Sequence, residues 1–386
     1  MIKLFKKEAK DTYRILGVKV SFKTRRAIAE SRASELLQDT LDLTALEKAK
    51  KIIVFLVPGN IKVNGGVMSI FSLCQASREI KKDFFVCLAT YPKGRTYLIN
   101  DNFYNRERIL RFNQIVNRAK FVQKMILHIP EYYADDFYND LNQQGISFLK
   151  SIPELQINIL NQNIAQMPAP EALQDLYKLT KNITQTIAHD RYSNQEVCDK
   201  WNIPTHLFSV NIDLSKYRIF DFEDKERVIA LSPDKNGYRE RVIEQIKDRL
   251  PDWKIVTIHN MTFGQYMDLI ARSYFTITFG EGMDGYFNQP AYVGSVGIAV
   301  YNEDFFPDDT WKDLVNVYYS YDEIVAKLCD DIKMLSSDKG LYYQVIEKHL
   351  EKLKNIYTMN GYIANIERFY NNDYDFVPSS KIKRNK

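Results

Sequence analysis

Glu281, Asp284 and Gln289 fall within nine positions of one another in the stretch GEGMDGYFNQPAYVG (280–294), together with four glycines. Carboxylates and a primary amide can hold hydroxyl groups by hydrogen bonds, and glycines let the backbone approach a ligand without a Cβ in the way. A second polar loop, SPDKNGYR (232–239), carries Lys235 and Arg239 just before a run of helical period. Two cations beside a helix N-terminus suit a diphosphate, and solvated helix-start charges are the plainer alternative. Gly65 and Gly66 lie in PGNIKVNGGVMSI (58–70), where free backbone N–H groups can meet an anion or a sugar oxygen. This loop is neither GxGxxG nor a P-loop, so ordinary dinucleotide or ATP binding is not indicated. His128 and Glu131 in HIPEYY, and His189 and Arg191 in AHDRYS, follow two further apolar runs. A histidine there can meet an acceptor hydroxyl and an arginine can grip a phosphate. The competing readings are a satisfied loop histidine and an ion pair of Arg191 with Asp190 or Glu196.

What must position these loops is a series of short apolar runs alternating with helical stretches. The first half offers KIIVFLV (51–57), FFVCLAT (84–90), KMILHIP (124–130), LQINIL (155–160), ITQTIAH (183–189) and HLFSV (206–210). The second half offers RVIALS (227–232), WKIVTI (253–258), YFTITF (274–279) and VGIAVY (296–301). RERILRFNQIVNRA reads as a helix, as does VMSIFSLCQASREI. Strands apolar on both faces and separated by helices make parallel sheets covered on both sides. The expected class is α/β, with two Rossmann-like domains facing across a cleft. The expected divisions are a basic segment (1–40), a first domain for the acceptor (41–215), a second for the donor (216–355) and a C-terminal helix and tail (356–386) returning to the first. In such sheets ligands collect outside the carboxyl ends of the strands, where all these loops fall.

Composition narrows the functional classes. The chain has 386 residues, 45% hydrophobic and 26% charged, which is enough for two globular cores. Its net charge of +4 conceals an asymmetry, because residues 1–26 hold nine Lys or Arg against Glu8 and Asp11, leaving the remainder at −3. A mildly acidic body argues against a nucleic-acid surface. The basic, aliphatic N-terminus suits either an anionic membrane face or a solvated chain end, and the tail SSKIKRNK adds four bases. No apolar run reaches the roughly 18 residues of a bilayer span. The four cysteines lack CxxC spacing, and no acidic pair stands at a plausible strand end, so neither zinc nor another metal is expected.

The loop at 280–294 resembles one in retaining nucleotide-sugar glycosyltransferases of the GT-B fold. These carry two glutamates separated by seven residues, with a glycine five beyond the second. Here Glu281, Gln289 and Gly294 keep the spacing, with glutamine in the second place. The resemblance implies that Glu281 lies by the donor sugar and that Gln289 accepts hydrogen bonds from the ribose. It also aligns Gly65 and Gly66 with a glycine-rich first loop, and Lys235 and Arg239 with the diphosphate-binding bases. In the reaction it implies, the leaving phosphate gains negative charge, met by N–H groups from Gly282 to Gly285 and by Lys235 and Arg239. The anomeric carbon gains positive character beside Glu281 or Asp284, with Tyr286, Phe287 and Tyr292 as flat walls. The N-terminus is similar to those of bacterial transferases that build surface polysaccharide on lipid carriers. The expectation is a cytoplasmic enzyme, peripheral on the inner membrane face, with no cofactor or metal. It would move a sugar from a nucleotide donor to a lipid-linked or growing glycan. The rivals are a nucleotide-sugar 2-epimerase on the same scaffold and a non-catalytic glycan-binding module.

Overall fold

The computed structural model describes residues 5–9, 12–15 and 18–21 as backbone, and 42–59, 65–93, 109–209, 211, 214–356 and 358–382. Strands β1 (Phe5–Ala9), β2 (Thr12–Ile15) and β3 (Val18–Ser21) form a small antiparallel sheet. The side chains of the basic N-terminus, and the end of the basic tail, lie outside the described residues.

The first large sheet is built from β4 (Lys51–Val57), β5 (Phe85–Thr90), β6 (Ile109–Arg111), β7 (Lys124–Pro130), β8 (Glu154–Asn161), β9 (Ile183–Ile187) and β10 (Thr205–Leu207). All seven are parallel in the order β10-β9-β8-β7-β4-β5-β6. KIIVFLV forms β4 because six of its seven residues are buried between helices on both faces, which only a continuous apolar run tolerates. Its ends match the sequence reading. β6 does not, since its three residues were expected inside a helix that in fact begins at Phe112.

The second sheet contains β11 (Glu226–Leu231), β12 (Lys254–Thr257), β13 (Ser273–Ile277), β14 (Val296–Val300) and β15 (Val317–Tyr318), again all parallel, in the order β12-β11-β13-β14-β15. Each sheet therefore reverses its strand order once, between β4 and β7 in the first and between β11 and β13 in the second. At such a reversal the connecting helices leave on opposite faces, and a crevice opens beyond the strand ends.

Helices α1 (Gly65–Ile80), α2 (Arg239–Arg249), α3 (Phe263–Arg272) and α4 (Gly285–Tyr292) follow β4, β11, β12 and β13. The chain then runs through α5 (Tyr321–Ser337) and α6 (Lys339–Ile356) to α7 (Met359–Tyr370). α7 packs back onto α1 and β10 of the first domain. The Tyr370 hydroxyl and Ser77 Oγ lie 2.7 Å apart, and His206 Nε2 is 2.8 Å from the Asn365 carbonyl. One apolar cluster joins α1, the crossover residue Phe208, α3 and α7, so the two domains share buried surface. Among the described residues no helix is long and apolar enough to cross a membrane.

Candidate functional site

At the reversal of the second sheet two loops meet. The loop after β11 is fastened to the loop after β13 by the Phe279 N–H to Ser232 Oγ (3.0 Å), and by Asn236 Nδ2 to the Phe279 carbonyl (3.4 Å). The crevice at the β11/β13 reversal thus brings together the Lys235 and Glu281 loops, which the sequence separates by more than forty residues.

One side of this crevice is acidic. Asp284 is the N-cap of α4, its Oδ1 accepting the Phe287 N–H at 3.1 Å, while Oδ2 accepts the Thr278 hydroxyl at 2.6 Å. Burial lifts the Asp284 carboxyl to about 7, against the lowering effect of these hydrogen bonds, and the neighbouring charges of Asp234 and Glu281 add to the rise. Burial also raises Glu281, with Asp234 a second contributor. A Cβ built on Gly280 would stand 2.9 Å from one Asp234 oxygen and 3.3 Å from an Asp284 oxygen, so glycine makes room for both carboxylates. The left-handed Gly282 (φ +85) turns the chain between them, and a Cβ there would lie 2.8 Å from Phe306 and from the Val300 carbonyl.

The other side is basic. Arg239 opens α2 and is only 15% exposed; its Nη2 donates to Thr257 Oγ1 at 2.9 Å and its Nη1 reaches Glu240, while Nε is buried without a partner. Lys235 is exposed on the same loop. Tyr238, the α2 N-cap, supplies no side-chain cap, so the first N–H groups of α2 are not closed off by a side chain. α4 differs, because Asp284 already occupies its N-terminus. The N–H groups from Gly282 to Gly285, expected to meet a phosphate, therefore share their helix start with the Asp284 carboxyl, which takes the Phe287 N–H.

Tyr286 and Gln289 extend the site along α4. Tyr286 packs edge-on to Tyr266 at 5.7 Å, and burial pushes its phenol to about 12. The Gln289 amide folds against Gly285, within 3.2 Å of where a Cβ would stand. Phe287 is an ordinary core residue, fully buried beside Trp311 and His349.

In the first domain Gly65 starts α1 with open space around it, and Gly66 is partly exposed; residues 60–64 of that loop lie outside the described residues. His189 is partly buried, its Nε2 3.2 Å from the Gln162 carbonyl, and burial lowers its basicity. Arg191 donates to the backbone carbonyl of Glu303 in the second domain, so its guanidinium joins the two domains instead of pairing with Asp190 or Glu196. His128 requires a correction. It lies inside β7 with no exposed surface, stacked on Phe55 at 4.3 Å, with Nδ1 3.0 Å from Asn158 and Nε2 3.3 Å from the Tyr370 hydroxyl. Burial holds it down to about 3, a neutral core imidazole that reaches no acceptor.

The residues missed from sequence are Asp234, Thr278, Asn236 and Tyr321. Asp234 and Asn236 sit in the loop already singled out for Lys235, so the strand-end rule alone would have found them. Tyr321, stacked on Tyr238 at 5.2 Å and 3.3 Å from the Phe279 carbonyl, comes from α5 and leaves no local signal. Among the described residues no group of three or more His, Cys, Asp or Glu side chains is arranged to hold a metal ion.

No protein-family model and no curated protein sequence matches this chain. Solved structures match it in fold. An alpha-glucosyltransferase in complex with UDP and a 13-mer DNA containing an HMU base aligns with a TM-score of 0.56 and 12% identity, covering 84% of this chain and 99% of its own. The Anabaena protein HepE, in complex with UDP and glucose, aligns with a TM-score of 0.51 and 9% identity, covering 83% of this chain and 98% of its own. The fold is GT-B. A UDP-GlcNAc 2-epimerase from Neisseria meningitidis, bound to UDP-GlcNAc, also aligns, with a TM-score of 0.43 and 8% identity over 84% of this chain and 99% of its own. GT-B architecture fixes where the crevices lie, and the chemistry must be argued from the residues in them.

Proposed function

We propose that this protein is a glycosyltransferase that takes a nucleotide sugar in the crevice between β11 and β13 and passes the sugar to a glycan acceptor held by the first domain. The observation that carries the reading is the division of that crevice. A nucleotide sugar is anionic at its diphosphate and rich in hydroxyls at its sugar, and the crevice has a basic half (Lys235, Arg239, the start of α2) beside an acidic half (Asp234, Glu281, Asp284). The diphosphate belongs with the first, where fixed cations and helix N–H groups stabilise the charge of a leaving nucleotide. The sugar belongs with the second, where carboxylates accept from its hydroxyls. Gln289 accepts from the ribose without adding charge. UDP is the favoured nucleotide, because the transferases of similar fold were solved with it. The acid groups are arranged for hydroxyl recognition, and the reaction as proposed requires no metal and no cofactor. Retention of anomeric configuration is part of the proposal and rests on the resemblance of the Glu281–Gln289 spacing to that of retaining transferases, with glutamine in place of the second glutamate. The wider role proposed is synthesis of a bacterial surface polysaccharide on the inner membrane face, with residues 1–26 bringing charge to anionic lipid.

A thermal-shift panel of UDP-, GDP-, dTDP- and CMP-sugars tests the reading. A ligand at 100 times its dissociation constant adds about 2.7 kcal/mol of stability, several degrees for a protein of this size. Glu281→Ala should keep the nucleotide-induced shift and lose at least tenfold in transfer. Absence of a shift with every nucleotide sugar would remove the proposal, and acceptor-free conversion of the donor would redirect it to an epimerase.

A further inference from the structure

The reversal of the first sheet, between β4 and β7, carries a second group of side chains that the donor crevice does not use. Tyr91 follows β5 and Tyr132 follows β7, the two strands that flank β4, and their hydroxyls meet at 2.7 Å. Two phenol protons enter this pair and one hydrogen bond consumes one of them, so the other remains for a ligand. Tyr91 is fixed by stacking on Tyr133 at 3.7 Å, and Tyr132 as a residue is 44% exposed. Glu131 lies beside them, buried, with Oε1 accepting the Asn163 N–H at 3.1 Å. The neighbouring loop is held in turn by Gln162, which donates to Ser69 of α1 at 3.0 Å.

Resting on the transferase reading, we infer that Tyr91, Tyr132 and Glu131 form the acceptor subsite and that its ligand is a neutral saccharide. A pyranose has one face of C–H groups that packs on an aromatic ring and an edge of hydroxyls that exchange hydrogen bonds with phenol and carboxyl groups. Charge selects among acceptors of the same size. Residues 131–140 contain Glu131, Asp135, Asp136 and Asp140 and no Lys or Arg, and Lys93 is already paired to Asp140 at 2.6 Å. A nucleic acid would bring its phosphates onto the Asp135, Asp136 and Asp140 carboxylates, an opposition that weakens the main source of affinity for such polymers. A neutral sugar meets no such penalty. Burial lifts Glu131 to about 7, so near neutral pH it can offer a proton to a sugar oxygen or accept one from a hydroxyl.

The test is read without donor, so that it separates from the fate of the transferase reading. Maltose, cellobiose, lactose and chitobiose are titrated against the full chain by saturation-transfer NMR. At least one should bind, with its dissociation constant raised tenfold or more in Tyr132→Ala and less in Tyr132→Phe, which keeps the ring. Lys235→Ala, on the donor side, should bind the same disaccharide as wild type does. Tyr132→Ala binding unchanged, no disaccharide binding at all, or displacement of the disaccharide by hydroxymethylated duplex DNA would each overturn the subsite. Loss of disaccharide binding in Tyr132→Ala together with no thermal shift from any nucleotide sugar would leave a saccharide site on the first sheet but remove the transferase and, with it, the acceptor role.

Discussion

Asp284 serves two hydrogen-bond donors in a place that disfavours its own charge. It caps α4 and anchors Thr278, yet burial and two neighbouring carboxylates bring it to about 7. A carboxyl raised above its unfolded value of 3.8 binds more protons in the folded state, so its contribution to stability is full below about pH 4 and is lost as pH rises through 7. Asp284→Asn removes the titration while keeping an acceptor and a good N-cap. Denaturant unfolding of this variant should show a flatter decline between pH 5 and 8 than wild type, and at pH 8 a stability equal to or above it, by about 1–2 kcal/mol. Glu131 shifts in the same direction and leaves part of the slope in place. A variant that loses stability equally at pH 5 and pH 8 would mean that geometry, and not charge, dominates at this position. His128 illustrates the opposite case. Its position near the end of KMILHIP invited a catalytic role, but the partner that fixes its ring, Tyr370, lies 242 residues further along the chain. Nothing local to the strand could have announced that the C-terminal helix covers it.

Elements of α/β type were legible where burial on both faces writes a continuous apolar run, as in β4 and β7, whose ends agree with the reading. They were illegible where the element is too short to carry a period. β6 has three residues, lies at the sheet edge and merges into the helical pattern of RFNQIVNR; β15 has two. β1 to β3 were hidden in a stretch whose charge drew attention away from its alternation. The candidate donor site was legible as loops but not as a division into acidic and basic halves, because that depends on which helix start is already capped. Gly297 shows how closely the α4 that carries Tyr286 and Gln289 is pressed onto the sheet, since a Cβ there would overlap the Phe287 carbonyl. Gly297→Ala should therefore destabilise the protein by about 3 kcal/mol or more and abolish transfer, as α4 must move to admit one methyl group. Gly65→Ala, where nothing lies within 4 Å, should stay within about 0.5 kcal/mol of wild type. Equal melting temperatures for the two variants would mean that α4 is free to shift.

At the scale of the whole molecule, two kinds of contact join the domains, and they differ in strength. The apolar cluster through Phe208, Phe263, Tyr362 and Phe369 is buried and continuous, and it includes the chain segments that cross from one domain to the other. Between the loops after β9 and β14 the contacts are mostly polar and exposed: Arg191 to the Glu303 carbonyl, the Tyr192 hydroxyl to Asp304 Oδ1 at 3.2 Å, and the edge of His189 on Phe305 at 5.6 Å. Exposed polar contacts are worth roughly 0–1 kcal/mol each, so thermal motion that opens the cleft breaks these first while the apolar joint holds. The double variant Arg191→Ala, Tyr192→Phe should lose about 1 kcal/mol of stability or less. Its radius of gyration by small-angle scattering, measured without nucleotide, should nevertheless rise above that of wild type. If the donor crevice closes against the first domain, saturating UDP-sugar should return the radius to the wild-type value, and the apparent affinity for donor should fall by the fraction of molecules held open. A radius unchanged by the double variant would mean that the apolar joint alone sets the angle between the domains, and that the loops after β9 and β14 touch without restraining it.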